Sequence, residues 1–529
     1  MRATSSTAEG AAPSPGRPAA TRPPLPRWAW WLCWAVLAAG VGLLVRLPGP
    51  ATLDPDEHAA VLYFDRLAAG ERLEEPLLSA PKPLLTVVHG LAWRATHDWR
   101  PLEALTVAVF ALAVVCLARA AGRLGGLPAA VATIVVVAGS GPLVLQAARG
   151  NSMVFALAGW SVAIDALTRG GPRAPGRDPG PGRDPGPVEP GPAWGLASGA
   201  LLAAGLARAE SWLLLPLAAA YGLLAWRRGD RRALLLTLPL AAPLLWLAHD
   251  WLLTGDLLYA LRVPGRYSDL VSGRQVIPPA DWLALVARRY RADPLLLALG
   301  AVGAVWLARR RAIIWLAALA VTGLGVLAVL GLQAWQGIYI SWRYFDSADL
   351  ALRVTAAFGA AALASWAAGR LGRLGRGSAA VATAGAVLLV AVACWPLAPA
   401  DPVVASTLDR DTRLSANAAT AVGVLAPLAG EPGTVLTVSG PQRVRVAVEL
   451  GLPLARARDL FLAGRAAPLD QALAGSTAVF HDADGDRPPA RFAPLSSTVP
   501  RRVGNLLLVP LRTDPGRGLY VHRVQQRGG

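Results

Sequence analysis

The uncharged run AIIWLAALAVTGLGVLAVLGLQAWQGIYISW, residues 312–342, decides the fold class of this chain. A helix of about 20 apolar residues is long enough to cross the roughly 30 Å hydrocarbon core of a bilayer. Of the 529 residues, 54% are hydrophobic and only 16% are charged, and the mean hydropathy is +0.43. Soluble domains carry more charge and fewer apolar residues than this. The sequence therefore predicts a multi-pass membrane protein.

Apolar runs of this kind recur along the first three quarters of the chain. In order they cover residues 28–45, 104–118, 124–148, 150–164, 190–207, 211–226, 233–248, 294–308, 312–342, 354–369 and 377–400. Several are shorter than a full crossing, but the long side chains of flanking arginines can reach the interface and lengthen them. The pattern predicts a mostly α, polytopic bundle of about eleven transmembrane helices.

Arginines are concentrated in every second connection between these runs. They are Arg17, Arg22 and Arg27 before the first run, Arg119 and Arg123 after the second, Arg169, Arg173, Arg177 and Arg183 after the fourth, Arg227, Arg228, Arg231 and Arg232 after the sixth, Arg309, Arg310 and Arg311 after the eighth, and Arg370, Arg373 and Arg376 after the tenth. Because basic connections stay in the cytoplasm during insertion, the amino terminus is predicted to be cytoplasmic and the carboxyl-terminal region extracytoplasmic. The net charge of +17 mostly reflects this topology, so nucleic-acid binding is not expected.

The rest of the chain divides by composition. Residues 1–27 are rich in Pro, Ala, Ser and Arg and predict a disordered cytoplasmic tail before the membrane domain, 28–400. The segment 169–193 contains a twice-repeated GRDPGP and favours a flexible cytoplasmic linker. Residues 401–529 predict a small extracytoplasmic α/β domain. Its expected strands lie in TVLTV, TAVFHD, NLLLVPL and GLYVHRV, and its expected helices in VRVAVELG and LDQALAG.

The first predicted outer loop, residues 48–100, carries an unusual acidic group. Over residues 53–90 it reads LDPDEHAAVLYFDRLAAGERLEEPLLSAPKPLLTVVHG, with Asp54, Asp56 and Glu57 within four positions. The segment AAVLYFDRLAAGERL has helical spacing and one apolar face, which predicts a helix along the outer membrane surface. Lys82, the only lysine of the chain, follows Asp56 by 26 positions. We expect the intervening helix to bring these two side chains over one cavity.

These motifs resemble the GT-C superfamily of polyprenyl-phosphate-dependent glycosyltransferases. Asp56, Glu57 and His58 are similar to the Asp-Glu-x-His of protein O-mannosyltransferases, and Lys82 with Pro83 resembles the Lys-Pro of lipid A aminoarabinose transferases. The resemblance implies a plasma-membrane enzyme that takes its sugar from a polyprenyl-phosphate donor. The acceptor that it implies is a cell-wall glycan, a lipid or a protein.

The implied reaction needs a base for the acceptor hydroxyl and a positive charge for the released phosphate. By match to the family Asp56 is the expected base, a role worth about 10²- to 10⁴-fold in rate, and the product is expected to be inverted at the anomeric carbon. Glu57 or Asp54 is expected to orient groups or hold a divalent cation. Neighbouring carboxylates raise each other's pKa unless a cation lies between them. Lys82, an arginine or a Mg²⁺, Mn²⁺ or Ca²⁺ ion is therefore expected nearby.

A second interpretation of the acidic group is structural. Asp54 suits a helix N-cap and Pro55 suits the first helical position. Capping and catalysis are compatible, so both interpretations stay open.

Three cations on the outer side are candidates to bind the donor phosphate. Lys82 ranks first, Arg343 second and Arg149 third. Charges near a membrane are costly unless they are paired or face a polar cavity, which favours a function for each. The alternative for Arg149 is that its side chain reaches lipid headgroups.

Four further residues are predicted to line the substrate cavity: His58, Arg208, Glu210 and Tyr344. Arg208 and Glu210 lie two positions apart in LARAES, so they can instead simply pair with each other.

Two other classes of protein remain open. A non-catalytic membrane scaffold, whose outer domain binds wall polymers, would have the same organisation. A transporter would need polar or broken helices in the middle of the membrane, whereas the polar residues here gather on one side.

Overall fold

The computed structural model describes residues 55–73, 77, 79–169, 192–269, 276–291, 293–338, 340, 342–371, 378–394, 402–438, 442–460, 468–482 and 490–526. The predicted tail, the first predicted span (28–45), Asp54 and most of the linker 169–193 lie outside these ranges. The described chain is mostly helical and ends in one six-stranded sheet.

Helices form the whole described chain up to residue 394 apart from short connections. The first are α1 (Pro55–Ala69), α2 (Pro83–Thr96), α3 (Arg100–Ala138), α4 (Gly141–Ala148), α5 (Ser152–Leu167), α6 (Trp194–Ala207), α7 (Leu215–Arg227), α8 (Ala242–Thr254) and α9 (Tyr259–Tyr267). The next are α10 (Pro279–Arg291), α11 (Pro294–Arg309), α12 (Ile313–Ala320), α13 (Val326–Trp335), α14 (Asp346–Leu371) and α15 (Ser378–Cys394). The 3₁₀ turns Ala209–Leu214, Arg231–Ala241 and Trp342–Phe345 precede α7, α8 and α14, and a π-helical turn, Val321–Gly325, joins α12 to α13.

Many of these helices are suited to a bilayer. Five are long and apolar enough to cross it by length and composition: Arg100–Ala138, Ala209–Arg227, Arg231–Thr254, Ile313–Trp335 and Asp346–Arg370. Two bent pairs, α4 with α5 at 113° and α10 with α11 at 97°, raise that number to as many as seven. Ile313 and Leu324 are more than 70% exposed on the outside of the bundle, which suits contact with lipid. The predicted polytopic helical fold is confirmed, and the count of eleven crossings stays a prediction.

The boundary between the second and third predicted spans is wrong. The sequence predicts a connection at Arg119 and Arg123, but α3 is helical there and is interrupted instead at Gly126, which has φ 74° and ψ −165°. Glycine adopts this conformation without a steric penalty, and Pro128 lacks the N–H that would continue the helix. The predicted span 124–148 is likewise not continuous, because it is divided between α3 and α4.

Three arginines from two predicted cytoplasmic connections meet at one buried carboxylate, Asp165. Arg123 Nη1 lies 2.9 Å from its Oδ1, Arg169 Nη2 lies 2.8 Å from its Oδ2, and Arg119 Nε lies 3.7 Å from its Oδ1. The arginine side chains are each about a third exposed, whereas Asp165 is fully buried. The basic connections after the second and fourth predicted spans therefore lie at the same end of the bundle.

The carboxyl-terminal region begins with a long helix and then forms a mixed sheet. Its helices are α16 (Pro402–Ala429), α17 (Gln442–Glu449) and α18 (Leu469–Ala472), and its strands are β1 (Leu436–Val438), β2 (Ala457–Asp459), β3 (Ala478–Asp482), β4 (Arg501–Val503), β5 (Leu506–Asp514) and β6 (Leu519–Gln526). Short 3₁₀ turns cover Leu454–Arg456, Ala490–Ser496 and Pro515–Arg517. The strand order is β2-β1-β3-β6-β5-β4, parallel across β2, β1 and β3 and antiparallel beyond.

The predicted elements of this region are all present. The four expected strands are β1, β3, β5 and β6, and the two expected helices are α17 and α18. The sequence did not predict α16, β2 or β4. The two strands have only three residues each and form the edges of the sheet, so alternation of apolar and polar residues had little length in which to be visible.

The carboxyl-terminal domain packs on the acidic first loop. Leu62 and Tyr63 of α1 share one buried apolar cluster with Ala447 of α17 and with Leu454. Trp99 Nε1, just before α3, donates a hydrogen bond to Glu449 Oε1 at 2.8 Å. The domain and α1 therefore lie at the same end of the bundle, as the topology predicts. One face of α1 packs against α17, and the predicted position of this helix along the outer membrane surface stays a prediction.

Candidate functional site

Two parallel helices carry the predicted reacting groups. α1 begins at Pro55, whose fixed φ suits the first helical position, so Asp56 lies in the first turn. α2 begins at Pro83 with Lys82 as its N-cap residue. Further along the pair, a Cβ at Gly90 would overlap the ring of Phe64, so glycine is what allows the two helices to approach. The close, parallel packing of α1 and α2 brings their amino-terminal ends together.

At those ends the structure brings Asp56 and Lys82 into contact. Lys82 Nζ lies 3.4 Å from Asp56 Oδ2 and 3.6 Å from Glu57 Oε1. The side chains of Asp56 and Lys82 are 19% and 14% exposed, whereas Glu57 is fully buried. One ammonium group is therefore shared by two carboxylates, of which only Asp56 is accessible from outside. Its role as a base and the role of Lys82 at a phosphate stay predictions.

A residue outside the predicted set completes this group. His89 Nδ1 lies 3.3 Å from Glu57 Oε2, and both side chains are fully buried. Burial, with a smaller contribution from the charge of Lys82, lowers the pKa of His89 to about 3, although a hydrogen bond to the backbone of Glu57 opposes the shift. The imidazole is therefore neutral at physiological pH. His89 Nδ1 and Glu57 Oε2 are in contact, but their arrangement does not meet the geometry of a hydrogen bond.

Arg208 and Glu210 pair with each other close to Lys82, as one of the two interpretations of them predicts. Arg208 Nη2 lies 2.5 Å from Glu210 Oε1 and its Nε lies 3.1 Å from Oε2, a bidentate arrangement. Arg208 Nη1 also lies 3.5 Å from Asn151 Oδ1, the oxygen that caps α5. Glu210 is within electrostatic range of Lys82. The pair is thus near Lys82, and its role in lining a substrate cavity stays a prediction.

A polar stripe on α14 was not predicted. Asp346 accepts a hydrogen bond from Gln146 Nε2 at 2.9 Å, and Asp349 binds Arg289. Arg353 lies one turn further along, is almost fully buried, and none of its three side-chain nitrogens has a hydrogen-bond partner in the part of the chain that the structure describes. The spacing i, i+3 and i+7 puts Asp346, Asp349 and Arg353 on one helix face. That spacing in an otherwise apolar helix was the available sequence signal.

The other predicted residues are less closely tied to Lys82. The His58 ring packs edge-on against Trp99, with ring centroids 4.5 Å apart. Arg149 is half-buried at the end of α4, and Tyr344 packs against an apolar cluster around Trp282. Arg343 lies in the turn Trp342–Phe345, but its side chain, like the whole of Asp54, is outside the described residues. Their roles at a phosphate, a cavity or a base stay predictions.

The predicted divalent cation stays a prediction. Within the described ranges there is no group of three or more His, Cys, Asp and Glu side chains that could hold a metal ion. Two carboxylates near one another need a compensating positive charge, and the ammonium of Lys82 supplies it. Asp54, the other carboxylate predicted to hold a divalent cation, lies outside the described residues.

Comparison with known proteins identifies the fold. No protein-family model and no curated protein sequence matches the chain. A crystal structure of ArnT from Cupriavidus metallidurans bound to undecaprenyl phosphate matches with a TM-score of 0.51 and 15% sequence identity, over 95% of this chain and 98% of that chain. ArnT is a GT-C aminoarabinose transferase. The resemblance inferred from the first outer loop is therefore confirmed at the level of the fold, and an identity this low is evidence for the fold alone.

Proposed function

We propose that the chain transfers a sugar from a polyprenyl-phosphate donor to an acceptor hydroxyl on the outer side of the plasma membrane. The observation that carries this proposal is the contact of Lys82 with Asp56 at 3.4 Å. It joins a carboxylate and a cation at one end of a fold that, in ArnT, holds undecaprenyl phosphate. In this proposal the amino terminus is cytoplasmic, and α1, α2 and the carboxyl-terminal domain are extracytoplasmic.

The chemistry is a single displacement. Asp56 accepts the proton of the acceptor hydroxyl as the hydroxyl oxygen forms its bond to the anomeric carbon. The bond from that carbon to the phosphate oxygen breaks, and its electron pair leaves with the polyprenyl phosphate. A phosphate is already a good leaving group, so no general acid is needed. One displacement inverts the configuration at the anomeric carbon.

Lys82 links donor binding to this step. In the structure its ammonium contacts Asp56 and Glu57. The donor phosphate is a phosphodiester with one negative charge, and its two non-bridging oxygens compete with the carboxylates for the ammonium. When Lys82 turns to the phosphate, Asp56 loses an opposite charge and accepts a proton more readily. The base is therefore strongest when the donor is in place.

The remaining predicted residues have supporting roles in the proposal. Glu57 and Asp54 orient the groups around Asp56, Arg343 and Arg149 add positive charge for the phosphate, and the cavity is lined by His58, Arg208, Glu210 and Tyr344. The acceptor is a glycan, a lipid or a protein of the cell envelope.

The test measures release of polyprenyl phosphate by the purified full-length protein. The protein is incubated with a panel of polyprenyl-phosphate sugars and an extract of envelope glycans, lipids and proteins. Asp56→Asn is expected to lower the rate by about 10²- to 10⁴-fold, because an amide cannot take the proton.

The matched control is Asp65→Asn, on the same helix. Asp65 is exposed and pairs with Arg94 away from the site, so this variant should keep the wild-type rate. A wild-type protein that releases lipid phosphate from no donor, or an Asp56→Asn variant as active as wild type, would contradict the proposal and favour a scaffold.

A further inference from the structure

Glu57 and His89 form a buried pair directly behind the accessible carboxylate. Both side chains are fully buried, and Glu57 offers one oxygen to His89 at 3.3 Å and the other to Lys82 at 3.6 Å. On α2, Lys82 is the N-cap residue and His89 follows seven positions later, so two helical turns place both on the face that meets α1. The carboxylate of Glu57 therefore lies between an imidazole and an ammonium group.

We propose that His89 is a positioning residue that acts through Glu57 to hold Lys82 where it can serve both Asp56 and a donor phosphate. This inference rests on the proposed function. His89 touches neither Asp56 nor the space beside it in the contacts described, so its effect has to pass through Glu57.

The need for the imidazole follows from the burial of Glu57. A buried carboxylate requires polar partners, and the neutral imidazole 3.3 Å away places a potential N–H donor beside Glu57 without adding charge. If that donor is removed, the nearest described cation, the ammonium of Lys82, becomes the better partner for Glu57. Lys82 is then drawn toward the buried carboxylate and away from Asp56 and the donor phosphate.

Two substitutions at one position separate positioning from packing. His89→Asn keeps a side-chain N–H at the place of Nδ1, whereas His89→Phe keeps the ring, which packs edge-on against Phe155, and removes the donor. If the role is packing in an apolar interior, Phe should be tolerated and Asn should be harmful. If the role is positioning, the order is reversed.

The first readout is affinity for undecaprenyl phosphate, measured on the full-length protein in nanodiscs. We expect His89→Phe to weaken binding and His89→Asn to stay within a few-fold of wild type. The second readout is transfer, where His89→Phe is expected to lower kcat/KM roughly 10- to 100-fold, the usual cost of losing a supporting polar contact behind a site.

A double substitution tests the route through Glu57. In a Glu57→Gln background, His89→Phe should have little further effect on affinity, because the two residues act as one unit. Independent, additive losses would overturn the inference, as would a His89→Phe variant with wild-type affinity. Failure of the proposed function has a different signature, because a protein without transferase activity can still show the predicted order of affinities among the variants.

Discussion

Two fully buried carboxylates, Glu57 and Asp165, lie at opposite ends of the helical bundle and are compensated in different ways. Asp165 is contacted by Arg119 and Arg123 of α3 and by Arg169, which lies two residues beyond the end of α5. Glu57 is contacted by a neutral histidine and by a lysine that it shares with Asp56. The first carboxylate is surrounded by fixed positive charge, which favours rigidity. The second shares one flexible cation, which can be given up to a substrate.

The difference shows how the cation that compensates a buried carboxylate decides between a structural and a chemical use. Arginine binds a carboxylate through a planar set of donors, and two of them, Arg119 and Arg123, hold α3 to the end of α5. Lysine is a single charge on a long flexible stem, so it can move from one oxygen to another. Lys82 is the only lysine in the chain. Its contact with both Asp56 and Glu57 agrees with a functional use.

The strongest test of the functional role of Lys82 is to remove its charge. Lys82→Met keeps the length of the side chain and loses the charge, and kcat/KM for sugar transfer is expected to fall about 10²- to 10³-fold, as for loss of one group that stabilises a developing anion. The control is Arg94→Met, which removes an exposed cation from the other end of α2 and should leave the rate unchanged. Wild-type kinetics in Lys82→Met would show that the charge of Lys82 is not needed for sugar transfer.

The structural half is tested at Asp165. Asp165→Asn leaves three guanidinium groups facing one another, and the free energy of unfolding is expected to fall by about 1–3 kcal/mol, since the arginines are partly hydrated. The measurement is the thermal midpoint of the protein in detergent, with transfer assayed on the folded fraction. That fraction should be as active as wild type, and a folded but inactive variant would mean that Asp165 also serves the reaction.

The smallest expected effect comes from removing divalent metal. Lys82 already supplies positive charge to Asp56 and Glu57, so treatment of the wild-type protein with a chelator should leave its rate of transfer unchanged. Restoration of a lost activity by Mg²⁺, Mn²⁺ or Ca²⁺ would instead show that transfer requires a divalent cation, for which Glu57 and Asp54 are the predicted ligands. In that case Asp56 and Glu57 would be compensated by a metal ion as well as by Lys82.

Apolar runs predicted most of the fold, because a membrane helix must be apolar over its whole length. The interruption at Gly126 was missed because the clustered Arg119 and Arg123 suggested a loop, while Gly126 and Pro128 carried the actual signal. Helix α16 was missed because its polar and apolar residues are mixed, and its burial depends on partners elsewhere in the chain.

The candidate site could be predicted only in part. Asp56 and Lys82 stood out because acidic residues and a lone lysine are rare beside apolar runs. His89 did not, since its value depends on where α2 begins: only after Pro83 is known to start the helix does it share a face with Lys82. The stripe of Asp346, Asp349 and Arg353 had a visible spacing, but which neighbours it meets is a property of tertiary packing.

The seam between α17 and α1 has a practical consequence for anyone who handles this protein. Leu62 and Tyr63 are buried there by Ala447 and Leu454. A truncation before residue 402 would therefore expose apolar surface on both fragments. We therefore expect the carboxyl-terminal domain to be unstable when it is expressed alone or exchanged between relatives. Asp56 lies on the first turn of α1, the helix that packs against α17. Substitutions in the domain are therefore expected to change the position of the Asp56 carboxylate.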